Sequence, residues 1–144
     1  MLLFIRAKYL TEYVVYKHLG MKISNNHNQT SKVGDKLHKL CMEVLITSRS
    51  SLEEFLPNVV FSGDKKSQYP SIFFSLMKKV LNNCHMGRVI LVFNSCLICC
   101  EYCQRNKEPE DLTERFILET ANAIFTQKDW IMGNDFTKVL CFSN

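Results

Sequence analysis

Apolar and polar positions along the chain repeat with a helical rather than a strand period. Ile5, Tyr9, Tyr13 and Tyr16, joined by Leu10 and Val14, recur at helical spacing and predict a first helix. The polar stretch "LGMKISNNHNQTSK" (19–32), with its asparagines and glycine, breaks that pattern and is expected to be a linker. Val33, Leu37, Leu40, Cys41, Val44 and Leu45 then fall at i, i+4, i+7, i+8, i+11 and i+12, the cleanest amphipathic stripe in the sequence. Two overlapping capping boxes, Ser50 to Glu53 and Ser51 to Glu54, predict a separate short third helix limited by Pro57. "FSGDKKSQYP" is turn chemistry, and Pro70 suits the first turn of a fourth helix with apolar rows through Phe73, Leu76, Met77, Val80 and Leu81.

The most apolar run, "VILVFNSCLICC" (89–100), is hydrophobic nearly all round and predicts a helix buried at the centre of the domain, beginning at Gly87. Pro109, Glu110 and Asp111 are set for the positive end of a further helix bearing Leu112, Phe116, Ile117, Ala121 and Ile124, and short turns surround Trp130. No alternating period-two stretch with hairpin signals occurs, so the expected class is all-α. The arrangement implied is a bundle in which a central hydrophobic helix is surrounded by six to seven amphipathic helices.

A chain of 144 residues, 47% hydrophobic and 22% charged, fits one globular domain over 1–144 with 19–32 as an internal linker. The net charge of +4 is uneven: residues 1–90 carry 13 Lys/Arg against 6 Asp/Glu, and the remainder 5 against 8. This is too weak for a nucleic-acid footprint and favours an acidic partner. The opening "MLLFIRAKYL" lacks a secretory apolar core and is read as mature sequence. No stretch is expected to reach the roughly 18–20 apolar residues that span a bilayer. Seven cysteines without a signal peptide point to free thiols in a reducing compartment, where the acceptor pattern at Asn28 is inert.

Four of those cysteines, Cys96, Cys99, Cys100 and Cys103, crowd the end of the apolar run. On a helix they share one face but span about 10 Å of axial rise, whereas a tetrahedral zinc needs its sulfurs within about 4 Å of one another. The spacing favours packing; a metal site would have to recruit His85 or Cys84. There is no phosphate loop, nucleophile elbow or zinc-protease pair, and adjacent Cys84 and His85 lack an orienting partner. Catalytic residues, metal and cofactor are therefore all expected to be none. His18, His27 and His38 read as isolated surface or linker groups, and the pairs Lys65/Lys66 and Lys78/Lys79 as solvated faces.

One oddity remains in "HMGR": Arg88 opposes the macrodipole at the start of the most apolar helix, at a cost of about 0.3–1 kcal/mol, so its position asks for an anion, internal or external. Gly87 beside it would let another backbone approach.

"HMGRVILVFNSCLICCEY" resembles the first homology motif of the Bcl-2 family of apoptosis regulators, particularly its divergent poxviral-type pro-survival members. "SKVGDKLHKL" resembles the third motif, "LTEYVVYKHLG" the amino-terminal one, and "DWIMGNDFTKVL" a remnant of the second, in the family's order over almost the whole chain. His85 and Met86 replace the first motif's Asn and Trp, Thr30 stands at the third motif's leading Leu, and the second motif keeps only Gly133, with Trp130 displaced. The family's carboxy-terminal membrane anchor is not seen.

The resemblance implies a groove that accepts the amphipathic death-motif (BH3) helix of pro-apoptotic proteins, either the sensor proteins or the effectors Bak and Bax. Leu37, Cys41 and Leu45 would line one wall, Leu76 and Val80 the other, and Ile90 and Leu91 the floor. Arg88 and Gly87 would carry ligand recognition, with His85 standing in for the motif's Asn. The implied role is inhibition of mitochondrial apoptosis in the host cytoplasm, at the outer mitochondrial membrane in a full-length form or through partners. Two alternatives stay open: the same fold with a closed groove that blocks innate immune signalling by binding an adaptor, and a Cys-rich metal-binding protein.

Overall fold

A computed structural model describes residues 2–22 and 28–132. The described residues form six α-helices and no strand: α1 (Leu2–Leu19), α2 (Asn28–Val60), α3 (Tyr69–Val80), α4 (Met86–Arg105), α5 (Glu110–Phe125) and α6 (Lys128–Met132), with a single 3₁₀ turn at Lys66–Gln68. His27, Gly133 and Cys141 lie outside the described residues, and with Gly133 most of the second-motif remnant.

α4 is the axis of the bundle. Val89, Ile90, Val92, Phe93, Leu97 and Ile98 are buried, and the helix packs against α2, α5 and α1. Its polar interruptions stay in the core, with Asn94 Oδ1 left without a partner among the described residues. Ser95 Oγ donates to the Leu91 carbonyl one turn back (2.8 Å), and Asn94 Nδ2 reaches across to the Cys41 carbonyl on α2 (3.2 Å). The bilayer expectation needs correction. α4 itself, Met86–Arg105, is long and apolar enough by length and composition to cross a membrane (mean hydropathy 1.4), although 67% of that window is buried in the bundle.

The predicted second and third helices are one unbroken helix of 33 residues that runs through Pro57. Burial explains the difference. Leu45, Leu52, Leu56 and Val60 continue one inward row, and fully burying three further aliphatic side chains is worth about 1.5–3 kcal/mol each. A cap at Ser50 or Ser51 offers about 0.5–2 kcal/mol once. The helix also starts earlier than the expected linker allows, at Asn28, while α1 ends where expected: Gly20 takes a positive φ (72°), and Met21 N–H donates back to the Tyr16 carbonyl at 2.9 Å.

The remaining boundaries follow local chemistry. Pro70 sits in the first turn of α3, and Pro109 precedes Glu110 and Asp111 at the start of α5. Lys107 (φ 53°) turns the chain between α4 and α5, with Glu108 N–H donating to the Cys103 carbonyl. Phe61, just past the end of α2, stacks on Tyr102 (3.9 Å between centroids) and meets Phe116 edge-on, locking the α2–α3 connection onto α4 and α5.

Candidate partner-binding cleft

α3 turns Phe73 and Met77 into the core and leaves Ile72 and Leu76 half-buried between Ser71, Ser75 and Lys79. With Val59 of α2 and Gln68 these residues line a cleft of about 520 Å³. Val59 also borders a shallower depression of about 300 Å³ along α2, formed with Ser51, Glu54, Phe55 and Asn58. Small serines between half-buried aliphatics make room for a foreign side chain. On α2 the large exposed apolar residues Leu40, Val44 and Phe55 precede Val59 at steps that keep all four along one side of the helix. That side extends over about 28 Å at 1.5 Å per residue.

His85, Gly87 and Arg88 follow the end of α3, outside the lining of the cleft. His85 is the extended N-cap residue of α4, and its carbonyl accepts from the Arg88 and Val89 N–H groups (3.0 and 3.1 Å). Its ring occupies the space that Gly87 leaves open: a Cβ there would meet His85 Cε1 at 3.1 Å. Arg88 Nη1 donates to the Val80 carbonyl (2.9 Å), so the anion its position asks for is internal, the negative end of α3. The other guanidinium N–H groups have no partner among the described residues. Val80 lies one turn beyond Leu76, so this bond ties Arg88 to the C-terminal end of α3, although neither residue lines the cleft itself.

Of the aliphatic residues expected along the groove, Leu76 lines the cleft, and Val80 and Leu91 are half-buried against the core. Leu37 and Cys41 are 0% exposed, Leu45 and Ile90 3%. These four are core residues and offer no surface to a ligand. The stripe that packs α2 onto α4 is thus distinct from the accessible one, which is displaced by one position to Leu40 and Val44.

The α4 cysteines are buried. Cys96 Sγ lies 4.0 Å from Cys100 Sγ and 3.8 Å from the Phe116 carbonyl. Burial pushes the Cys41 and Cys103 thiols up to about 12. Cys100 is raised by its contact with Cys96 and by burial, and Cys99 by burial. They pack as small apolar groups, and among the described residues no three His, Cys, Asp or Glu side chains are placed to hold a metal.

A polar cluster at the junction of α1, α2 and α4 was not visible in the sequence. Glu101 on α4 accepts two hydrogen bonds from Arg49 on α2 (2.8 and 3.2 Å) and pairs with His18 Nε2 at the end of α1. His38 lies 5.9 Å from His18, ring to ring, with Nε2 buried and without a partner among the described residues. His18 and His38 are therefore not isolated surface groups. Nothing in the local pattern could have joined residues 52 and 83 positions apart.

The class that the fold and site define is an all-α helical bundle with an apolar surface cleft. A scan of the chain against protein-family models finds no match, and a search of curated proteins finds none either.

Proposed function

We propose that the protein is a non-enzymatic, viral pro-survival regulator of the Bcl-2-like type, which inhibits mitochondrial apoptosis by binding the BH3 helix of pro-apoptotic partners. The observation that carries this reading is the cleft between α2 and α3, apolar at Val59, Ile72 and Leu76, with an arginine that keeps spare donors bound to the last carbonyl of α3. The motif order and the central apolar helix support it. An amphipathic helix docks such a surface through anchors at helical spacing. Four anchors at about 1.5–3 kcal/mol each, less about 2–5 kcal/mol for ordering the peptide, leave sub-micromolar affinity within reach.

The test is calorimetric titration with BH3 peptides from sensor and effector proteins. A saturable signal is expected, weakened in Arg88→Glu by about 2–5 kcal/mol where the Arg–Asp pair is desolvated. Thermal denaturation of the variant separates this from loss of the α3 cap. The second reading, a closed groove with adaptor binding on another face, is favoured by the burial of Leu37, Cys41 and Leu45 and by the engagement of Arg88 with Val80. Silence with every peptide, from folded protein, would replace the first reading with the second.

A further inference from the structure

We infer that the exposed side of α2 is a self-association face, through which two copies of the chain pair with their α2 helices antiparallel. The inference is independent of what the cleft binds.

Leu40, Val44 and Phe55 are 37–49% exposed and form, with Thr47 and Ser51, a strip along α2 that stays open to solvent. Most of the polar side chains on and beside it are turned back onto the helix. Thr47 Oγ1 and Ser48 Oγ both donate to the Val44 carbonyl (3.1 and 3.0 Å), and Asn58 Nδ2 donates to the Glu54 carbonyl (2.9 Å). A second surface can therefore dry the strip without stranding those hydroxyl donors. The small side chains at its centre let another helix come close.

Charge along one edge of the strip decides the occupant. At about 100° per residue Lys36, Glu43 and Glu54 fall within about 20° of one another on the helix, with Lys39 a little further round. All four are exposed and have no ion-pair partner among the described residues. The edge runs from basic to acidic, and Lys36 and Glu54 are about 27 Å apart along the axis, too far to meet within one chain. Across a two-fold axis, residue i of one copy meets j of the other and j meets i, so an antiparallel pair brings this edge against itself running the other way. An axis near residues 46 and 47 seats Glu54 of each copy between Lys36 and Lys39 of the other, and Leu40 between Ser51 and Phe55 of the opposite helix. Parallel pairing would set Lys36 on Lys36 and Glu54 on Glu54. The partner that fits the strip is thus a second copy of the same helix. One helix face offers less than the roughly 800 Å² per partner of a standard interface, so the association expected is weak, with a Kd of about 100 µM.

Sedimentation equilibrium of the full chain under reducing conditions, from about 10 µM to 1 mM at low ionic strength, tests this. The expected result is a reversible monomer–dimer equilibrium that weakens with added salt. Reversing one side of the contact, in Lys36→Glu/Lys39→Glu or in Glu54→Lys, should weaken it about tenfold, because each change acts at two symmetry-related contacts. All three substitutions together should restore it, and Val44→Lys at the centre of the strip should abolish it. The substituted side chains are exposed, and circular dichroism verifies that each variant keeps its helices. Monomer at every concentration overturns the inference and leaves the strip to a chain of another sequence. A dimer that Val44→Lys leaves intact forms through a different face and overturns it. So does one whose charge reversals have no effect, or are not rescued by the triple variant, because its helices are not antiparallel. The proposed function, tested with peptides, stands or fails separately.

Discussion

Glu101 illustrates how one half-buried carboxylate ties three helices together. Burial alone would raise its pKa, but the hydrogen bonds and charges of His18 and Arg49 outweigh that and bring it down to about 2. A carboxyl depressed from 4.5 binds fewer protons folded than unfolded, so its contribution is present above pH 4.5 and is lost as the pH falls toward 2. The full effect is roughly 3 kcal/mol. His38 acts in the same direction in a higher window: burial first, then the nearby His18 and Lys17, hold it below 6.5, so acidification below that value also costs stability. Denaturant melts from pH 7 to 2 should show both losses. Glu101→Gln is expected to lower stability at pH 7 and flatten the profile below 4.5, while His38→Gln flattens only the limb just below 6.5. An unchanged profile in Glu101→Gln would show that the pairing does not couple to folding. None of this was legible in the sequence, because a histidine's partner 83 positions away leaves no periodic trace.

Among the elements, α2 separates local signals that prevail from those that do not. Pro70 and Pro109 start helices as their chemistry predicts, because no competing buried row crosses them. Pro57 and the Ser50 and Ser51 boxes fail because Leu52, Leu56 and Val60 carry the core row straight past them. The same rows matter at the cleft. A stripe of Leu37, Cys41 and Leu45 announces a buried face, and only the packing shows that the neighbouring row is the accessible one. Gly34 fixes how closely α1 approaches α2. It is buried, and a Cβ there would fall 2.8 Å from Tyr13 Cε1, on the ring whose hydroxyl donates to Asp35 at 2.7 Å. In a solvated helix Gly→Ala gains about 1 kcal/mol. Here Gly34→Ala should instead cost about 1–3 kcal/mol as an overpacked contact. Urea unfolding decides the sign, and a stabilised variant would mean that Tyr13 moves aside freely.

Across the whole molecule, the class of fold was readable because helical periodicity persists along the chain and because one run is apolar on every side. The second property placed α4 at the centre before any contact was known. What composition could not supply is which rows face each other, since that depends on how the described helices share one axis. The proposed cleft belongs to this level: it exists because α3 meets α2 near Val59 and leaves serines between the aliphatics.

The sulfur-rich lining of α4 has a practical corollary for anyone following the protein in solution. Cys41, Cys96, Cys99, Cys100 and Cys103 are sealed, whereas Cys84 in the turn before α4 is half-exposed. In a Cys84→Ser/Cys141→Ser background, an alkylating reagent should find nothing to modify until the bundle opens. All five remaining sulfurs should then react together, at a rate that rises with denaturant as global unfolding does. Staggered modification, with some of the five reacting in native buffer, would instead reveal a partial opening along the axis. Mass spectrometry of alkylated protein thus becomes a gauge of how often the interior meets water, with no probe added to the chain.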